Sequence, residues 1–168
     1  MTIEEFQKKS SETFAVKEYQ KEYVELGLRG EIGEVCDKIK KLIRDCDWNP
    51  EKPVPEEKRE SIMLELGDVM WYAVIYAKVM NIPVGFAWRS NSIELNEVSL
   101  FSCKNIVLLA IGLANEVSGR PFCMAIVSYV ASIANEIGYT LEEVCQRNYA
   151  KLQARVKKGT LHGSGDYR

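Results

Sequence analysis

The chain has 168 residues, 46 % of them apolar and 27 % charged, enough for one domain with its own core. That composition excludes collagen, disulfide-scaffold and wholly disordered classes. Against 22 Lys and Arg stand 24 Asp and Glu, a net charge of −2, so no global field attracts nucleic acid or an anionic membrane, and any phosphate chemistry must reside in a local site.

Thr2 and Glu5 form a capping box that opens a first predicted helix, with Tyr19, Tyr23 and Leu26 on one face and Gly27 as its end or kink. From Leu28 the series Ile32, Val35, Ile39, Leu42 and Cys46 alternates steps of four and three, one face of a second helix. Residues 47–55, with three prolines, read as a loop. A third helix is expected from about Glu56 to Met80, acidic at its N-terminal end, followed by an irregular stretch over 81–96. Residues 100–114 are apolar nearly all round and predict a buried helix closed by Ser118, Gly119 and Pro121. A further helix spans 122–137 with Gly138 at its C-cap. Thr140 and Glu143 then make a second capping box for a last helix to about Lys158. The expected fold is an all-α helical bundle.

Cys36, Cys46, Cys103, Cys123 and Cys145 are odd in number, form no CxxC pair and lie in apolar periodic stretches, as reduced core thiols do. The first residues, MTIEEFQKKS, are unlike a signal peptide, and the longest uncharged run, 121–135, is shorter than the roughly 20 residues that cross a bilayer. The expectation is a cytoplasmic protein without membrane or nucleic-acid partners.

The third helix carries the chemistry. Between Ile62 and Ala77 its only charged residues are Glu65 and Asp68, three apart on one face in apolar surroundings. Two like charges so placed destabilise a helix unless something positive offsets them. The second helix carries a matching pair, Glu31 and Glu34, at the border of its apolar stripe, with Lys38 and Lys41 continuing the line. A short loop makes the two helices antiparallel. Glu34 then lies roughly 18 Å before the turn and Glu65 roughly 14 Å after it, so the pairs face one another.

Four converging carboxylates suit a hard divalent cation, Mg²⁺ or Mn²⁺. The alternative is that the acids are solvated or neutralised by Lys38, Lys40, Lys41 and Arg44. A di-iron site needs Glu-x-x-His motifs, and the sole histidine is His162 in the glycine-rich tail; zinc ligand clusters are absent.

With ExxE on one helix and ExxD on the next, the chain resembles the all-α, MazG-like nucleoside triphosphate pyrophosphohydrolases. The likeness lies in GLRGEIGEVCDKIKKLIRD, in ELGDVMWY, in the NxxKLxxR of the last helix and in the GSGD of the tail. It implies one MazG-like domain over 1–168, a four-helix core with an inserted helical segment at about 81–128 and a glycine-rich tail at 159–168. Some members carry a further glutamate where this chain has Gly30.

The resemblance also implies Mg²⁺-dependent hydrolysis of a (deoxy)nucleoside triphosphate to the monophosphate and pyrophosphate, as house-cleaning or dNTP pool control. Glu31, Glu34, Glu65 and Asp68 would be metal ligands and catalytic groups; which of them acts as base stays open. Lys38, Lys41, Lys151 and Arg155 are candidates for phosphate contacts, Asn148 for phosphate or sugar. Tyr72, one turn beyond Asp68, is a candidate for the base, with Trp71 beside it and Trp48 as a lid. A homodimer or homotetramer is expected. Two alternatives remain: a helical assembly or regulatory protein that keeps the bundle without activity, and hydrolysis of another pyrophosphate compound such as phosphoribosyl-ATP.

Overall fold

The computed structural model describes residues 1–46, 48–82, 84, 94, 95, 98, 100–116 and 123–160. Among these lie six helices: α1 (Ile3–Ser11), α2 (Gln20–Asp45), α3 (Glu56–Val79), α4 (Ile106–Glu116), α5 (Cys123–Glu136) and α6 (Leu141–Lys158). No strand occurs among the described residues; a single isolated bridge pairs Thr2 with Glu94. The fold is all-α. The expected closure of the fourth helix by Ser118, Gly119 and Pro121, most of the 81–96 connection and the tail beyond Thr160 lie outside the described residues.

Both capping boxes form. The Thr2 hydroxyl accepts from the Glu5 amide at 3.0 Å and the Glu5 carboxylate accepts from the Thr2 amide at 3.0 Å, starting α1. Thr140 and Glu143 do the same for α6, which Gly159 ends at φ +68°, the left-handed conformation a glycine adopts without strain.

The first helix differs from its expectation. α1 stops at Ser11, and a new helix starts after Tyr19, whose φ of +51° breaks the path between them. Tyr19, Tyr23 and Leu26 are not a core face: they are 77 %, 41 % and 71 % exposed. Gly27 neither ends nor kinks α2, which runs through it to Asp45. A Cβ at residue 27 would come within 2.0 Å of the Tyr72 ring, so the glycine answers a close helix contact, not a helix end. Beyond it the stripe Leu28, Ile32, Val35, Ile39 and Leu42 is buried as the periodicity requires.

α3 is the centre of the bundle, with α1, α2, α5 and α6 packed around it. That is why, from Ile62 onward, it is apolar apart from Glu65, Asp68 and Lys78: Ile62, Met63, Leu66, Val69, Met70, Ile75 and Tyr76 are all sealed from solvent. Its crossing with α6 is close because residue 67 is glycine; a Cβ there would lie 2.9 Å from that of Asn148. The 48–55 loop is pinned by Trp48, 5 % exposed, whose indole N–H donates to the carbonyls of Lys52 (2.9 Å) and Pro53 (3.1 Å). Trp48 is thus an anchor of the loop and not a lid. No helix among the described residues is long and apolar enough to cross a membrane.

Candidate active site

The α2–α3 hairpin brings the acids together. One carboxylate oxygen each from Glu31, Glu65 and Asp68 lies within 4.8 Å of the other two, and all three residues are half-buried. Glu34 lies outside this trio on the exposed side of α2, near enough for its charge to act on Glu31. Burial, then the charges of Asp68, Glu65 and Glu34, push the Glu31 carboxyl from 4.5 up to about 7, with Lys151 pulling the other way. No ion pair reaches Glu31 among the described residues.

The other two acids are held by cations. Lys38 pairs with Glu65 at 3.3 Å from the next turn of α2. Lys151 of α6 donates to both oxygens of Asp68, at 2.6 and 2.5 Å, and the Asn148 amide donates to the same carboxylate at 2.8 Å. Asn148 and Lys151 stand three apart on one face of α6, which the close crossing at Gly67 presses against Asp68. Asn148 is 2 % exposed, and its amide oxygen has no hydrogen-bond partner. It is therefore no surface residue: it orients a carboxylate and leaves a buried acceptor free beside it. Three carboxylates within so small a space form an all-oxygen donor set, which fits a hard divalent cation and not a thiophilic one.

Next to the acids opens a cleft of about 240 Å³. Glu31, Asp68 and Arg155 line its polar side, and Phe14, Tyr23, Trp71 and Tyr72 supply aromatic walls. The rings touch in sequence: Phe14 to Trp71 at 6.1 Å, Trp71 to Tyr72 at 4.8 Å in an edge contact, and Tyr72 to Tyr23 at 6.0 Å. The Tyr72 hydroxyl donates to that of Tyr23 at 3.3 Å, and burial with this bond raises its pKa. Trp71 is largely core, 8 % exposed, and its indole N–H donates to the Thr13 hydroxyl at 2.9 Å, fixing the start of the α1–α2 connection as the cleft's far wall.

Of the sequence-predicted residues, Glu31, Glu65, Asp68, Lys38, Asn148 and Lys151 converge, and Tyr72 and Arg155 line the adjoining cleft. Lys41 instead pairs with Asp37 at 2.5 Å, as Lys40 does, and faces a different cleft. The wall made by residues 13–16 and Tyr23 escaped the sequence reading because a non-periodic connection carries no pattern. Gly27, a glycine inside an intact helix, marks the close approach of Tyr72.

The profile of the MazG nucleotide pyrophosphohydrolase domain matches residues 20–97, which include Glu31, Glu34, Glu65 and Asp68. The "Gene 37 protein" of Mycobacterium phage L5 is 30 % identical over 146 residues, covering 87 % of this chain and 75 % of that protein. No solved structure matches the chain. With α2 and α3 carrying most of the matched segment and three of its acids, Glu31, Glu65 and Asp68, meeting at one point, the chain belongs to the MazG nucleotide pyrophosphohydrolase family.

Proposed function

We propose that this protein hydrolyses a (deoxy)nucleoside triphosphate to the monophosphate and pyrophosphate in a Mg²⁺-dependent reaction. The observation that carries the reading is the convergence of Glu31, Glu65 and Asp68 within 4.8 Å. These three would hold the metal, with Glu34 beside them. Mg²⁺, when bound, supplies charge neutralisation of the polyphosphate and a more acidic bound water.

The chain's own groups supply the rest. Asn148 fixes the rotamer of Asp68 through its 2.8 Å bond. Lys151 sits on that carboxylate, and Arg155 lies in the cleft one turn further along α6, so both bring positive charge to phosphate oxygens. The Phe14, Tyr23, Trp71 and Tyr72 cleft suits a nucleobase and sugar, apolar faces with hydroxyls at one edge.

The test is pyrophosphate release over a panel of NTPs and dNTPs with Mg²⁺, with Glu65→Gln alongside. Release by the wild type that falls at least about 100-fold in the variant supports the reading. A wild type that neither binds Mg²⁺ nor cleaves any member leaves the acids as structural groups and the non-catalytic reading in place. The exposed Leu108 and Ile111 of α4 favour a homo-oligomer, which light scattering measures.

A further inference from the structure

We propose that Lys151 is a displaceable counter-cation of the acid cluster: it holds Asp68 while no metal is bound and gives that carboxylate up when a divalent cation enters. The inference rests on the metal site of the reading above, and not on the hydrolysis itself.

The three acids are engaged unequally. Asp68 is taken at both oxygens: the Lys151 ammonium donates to Oδ1 at 2.6 Å and to Oδ2 at 2.5 Å, and the Asn148 amide adds a bond to Oδ1 at 2.8 Å. Glu65 meets Lys38 through one oxygen, at 3.3 Å, and Glu31 forms no ion pair among the described residues. An ammonium nearly equidistant from the two oxygens of a carboxylate fills the fork in which a cation is chelated. Two cations on one carboxylate stand within a few ångströms of each other, and in a half-buried site water and salt screen their repulsion little.

Charge balance points the same way. Among the described residues two ammonium groups, Lys38 and Lys151, pair with the trio of carboxylates. A divalent cation added to both would leave the trio in positive excess, whereas one that replaces Lys151 leaves it balanced.

The two groups on Asp68 differ in their freedom to leave. Asn148 is 2 % exposed and clamped by the close crossing at Gly67. Lys151 keeps 22 % of its side chain in solvent and ends a flexible four-carbon stem, so it can swing away without a shift of α6. The neutral donor orients Asp68 permanently; the charged one neutralises it only until a metal does. The charge that Lys151 brings to phosphate is thus released only once Asp68 has passed to the metal.

The experiment takes the full chain, freed of metal and then titrated with Mg²⁺ alone. Acetylation of the wild-type lysines, read residue by residue by mass spectrometry, reports which ammonium groups are engaged. Lys151 should react several-fold faster in saturating Mg²⁺, while Lys40, which pairs with Asp37 outside the cluster, should not change. In calorimetry Lys151→Gln should bind Mg²⁺ about tenfold more tightly than the wild type, against little change for Lys40→Gln. Metal-free Lys151→Gln should also melt below the wild type, and saturating Mg²⁺ should narrow that gap. Should the variant not fold, the wild-type labelling decides alone. Lys151 labelling that stays level or falls with Mg²⁺, or a folded variant that binds Mg²⁺ no more tightly, overturns the exchange; if that wild type still releases pyrophosphate from a nucleotide, the hydrolysis stands. A wild type that takes up no Mg²⁺ overturns both. Exchange in a chain that cleaves no nucleotide upholds the inference and removes the hydrolytic reading.

Discussion

α3 beyond Ile62, Glu65 and Asp68 apart, and α4 are both largely apolar, yet they end in different surroundings. α3 is packed by α1, α2, α5 and α6, and most of its apolar residues are sealed, with Leu64, Tyr72 and Val79 half-buried. α4 packs against α5 and α2 and leaves Leu108 58 % and Ile111 53 % exposed, against the expectation of a buried helix. Uniform apolarity therefore reports what a helix tolerates; the number of neighbours decides what it buries. The same crowding explains why the acids are on α3: only a helix surrounded by others can be met by groups from two of them, Lys38 of α2 and Lys151 of α6.

The contrast is broken most sharply by truncation. Leu66→Ala on α3 should cost about 2–5 kcal/mol, because the side chain is fully sealed and its neighbours cannot collapse into the void. Leu108→Gln on α4 should stay within about 0.5 kcal/mol. Urea denaturation measures both; a similar cost at the two positions would mean that α4 is covered in solution, as by a second copy.

A smaller effect follows at the α3–α6 crossing. Asn148→Ala frees Asp68 from its orienting bond and should lower pyrophosphate release about 10- to 100-fold, with a higher Mg²⁺ requirement. An unchanged Mg²⁺ requirement would leave Asn148 a packing residue only.

The central position of Glu31 also has a pH signature. Its folded-state pKa of about 7 lies above the ordinary 4.5, so without metal the folded state holds the proton more tightly than the unfolded chain. The resulting stabilisation is fully present below about pH 4.5 and is lost as pH rises through 7. The melting temperature of the metal-free wild type should therefore fall, relative to Glu31→Gln, between those values. A constant difference between the two would place Glu31 in open solvent.

The smallest effect separates two glycines of α2. A Cβ at Gly33 meets nothing within 4 Å, so Gly33→Ala should stabilise by about 0.5–1 kcal/mol. Gly27→Ala should destabilise, since the Tyr72 ring occupies the space. Thermal melts decide whether the α2–α3 contact at that end is as close as at the centre.

What the sequence determined by itself is local. Capping boxes at Thr2 and Thr140, the stripe from Leu28 to Leu42, the proline-rich loop and the spacing of Glu65 and Asp68 each depend on residues within a few positions, and each formed. The antiparallel hairpin followed from the short loop, and with it the meeting of Glu31 with Glu65 and Asp68. Only the tertiary structure decided that Tyr19 and Leu26 face outward while Tyr23 lines the cleft, that Trp48 is buried, that Lys41 turns to Asp37 and that Asn148 grips Asp68 from 80 positions away. The physical reason is that periodicity marks which face of a helix is apolar. How many partners that helix acquires, and which side chains they bring within 3 Å of a carboxylate, depends on packing across distant segments, with glycines such as Gly67 allowing the approach.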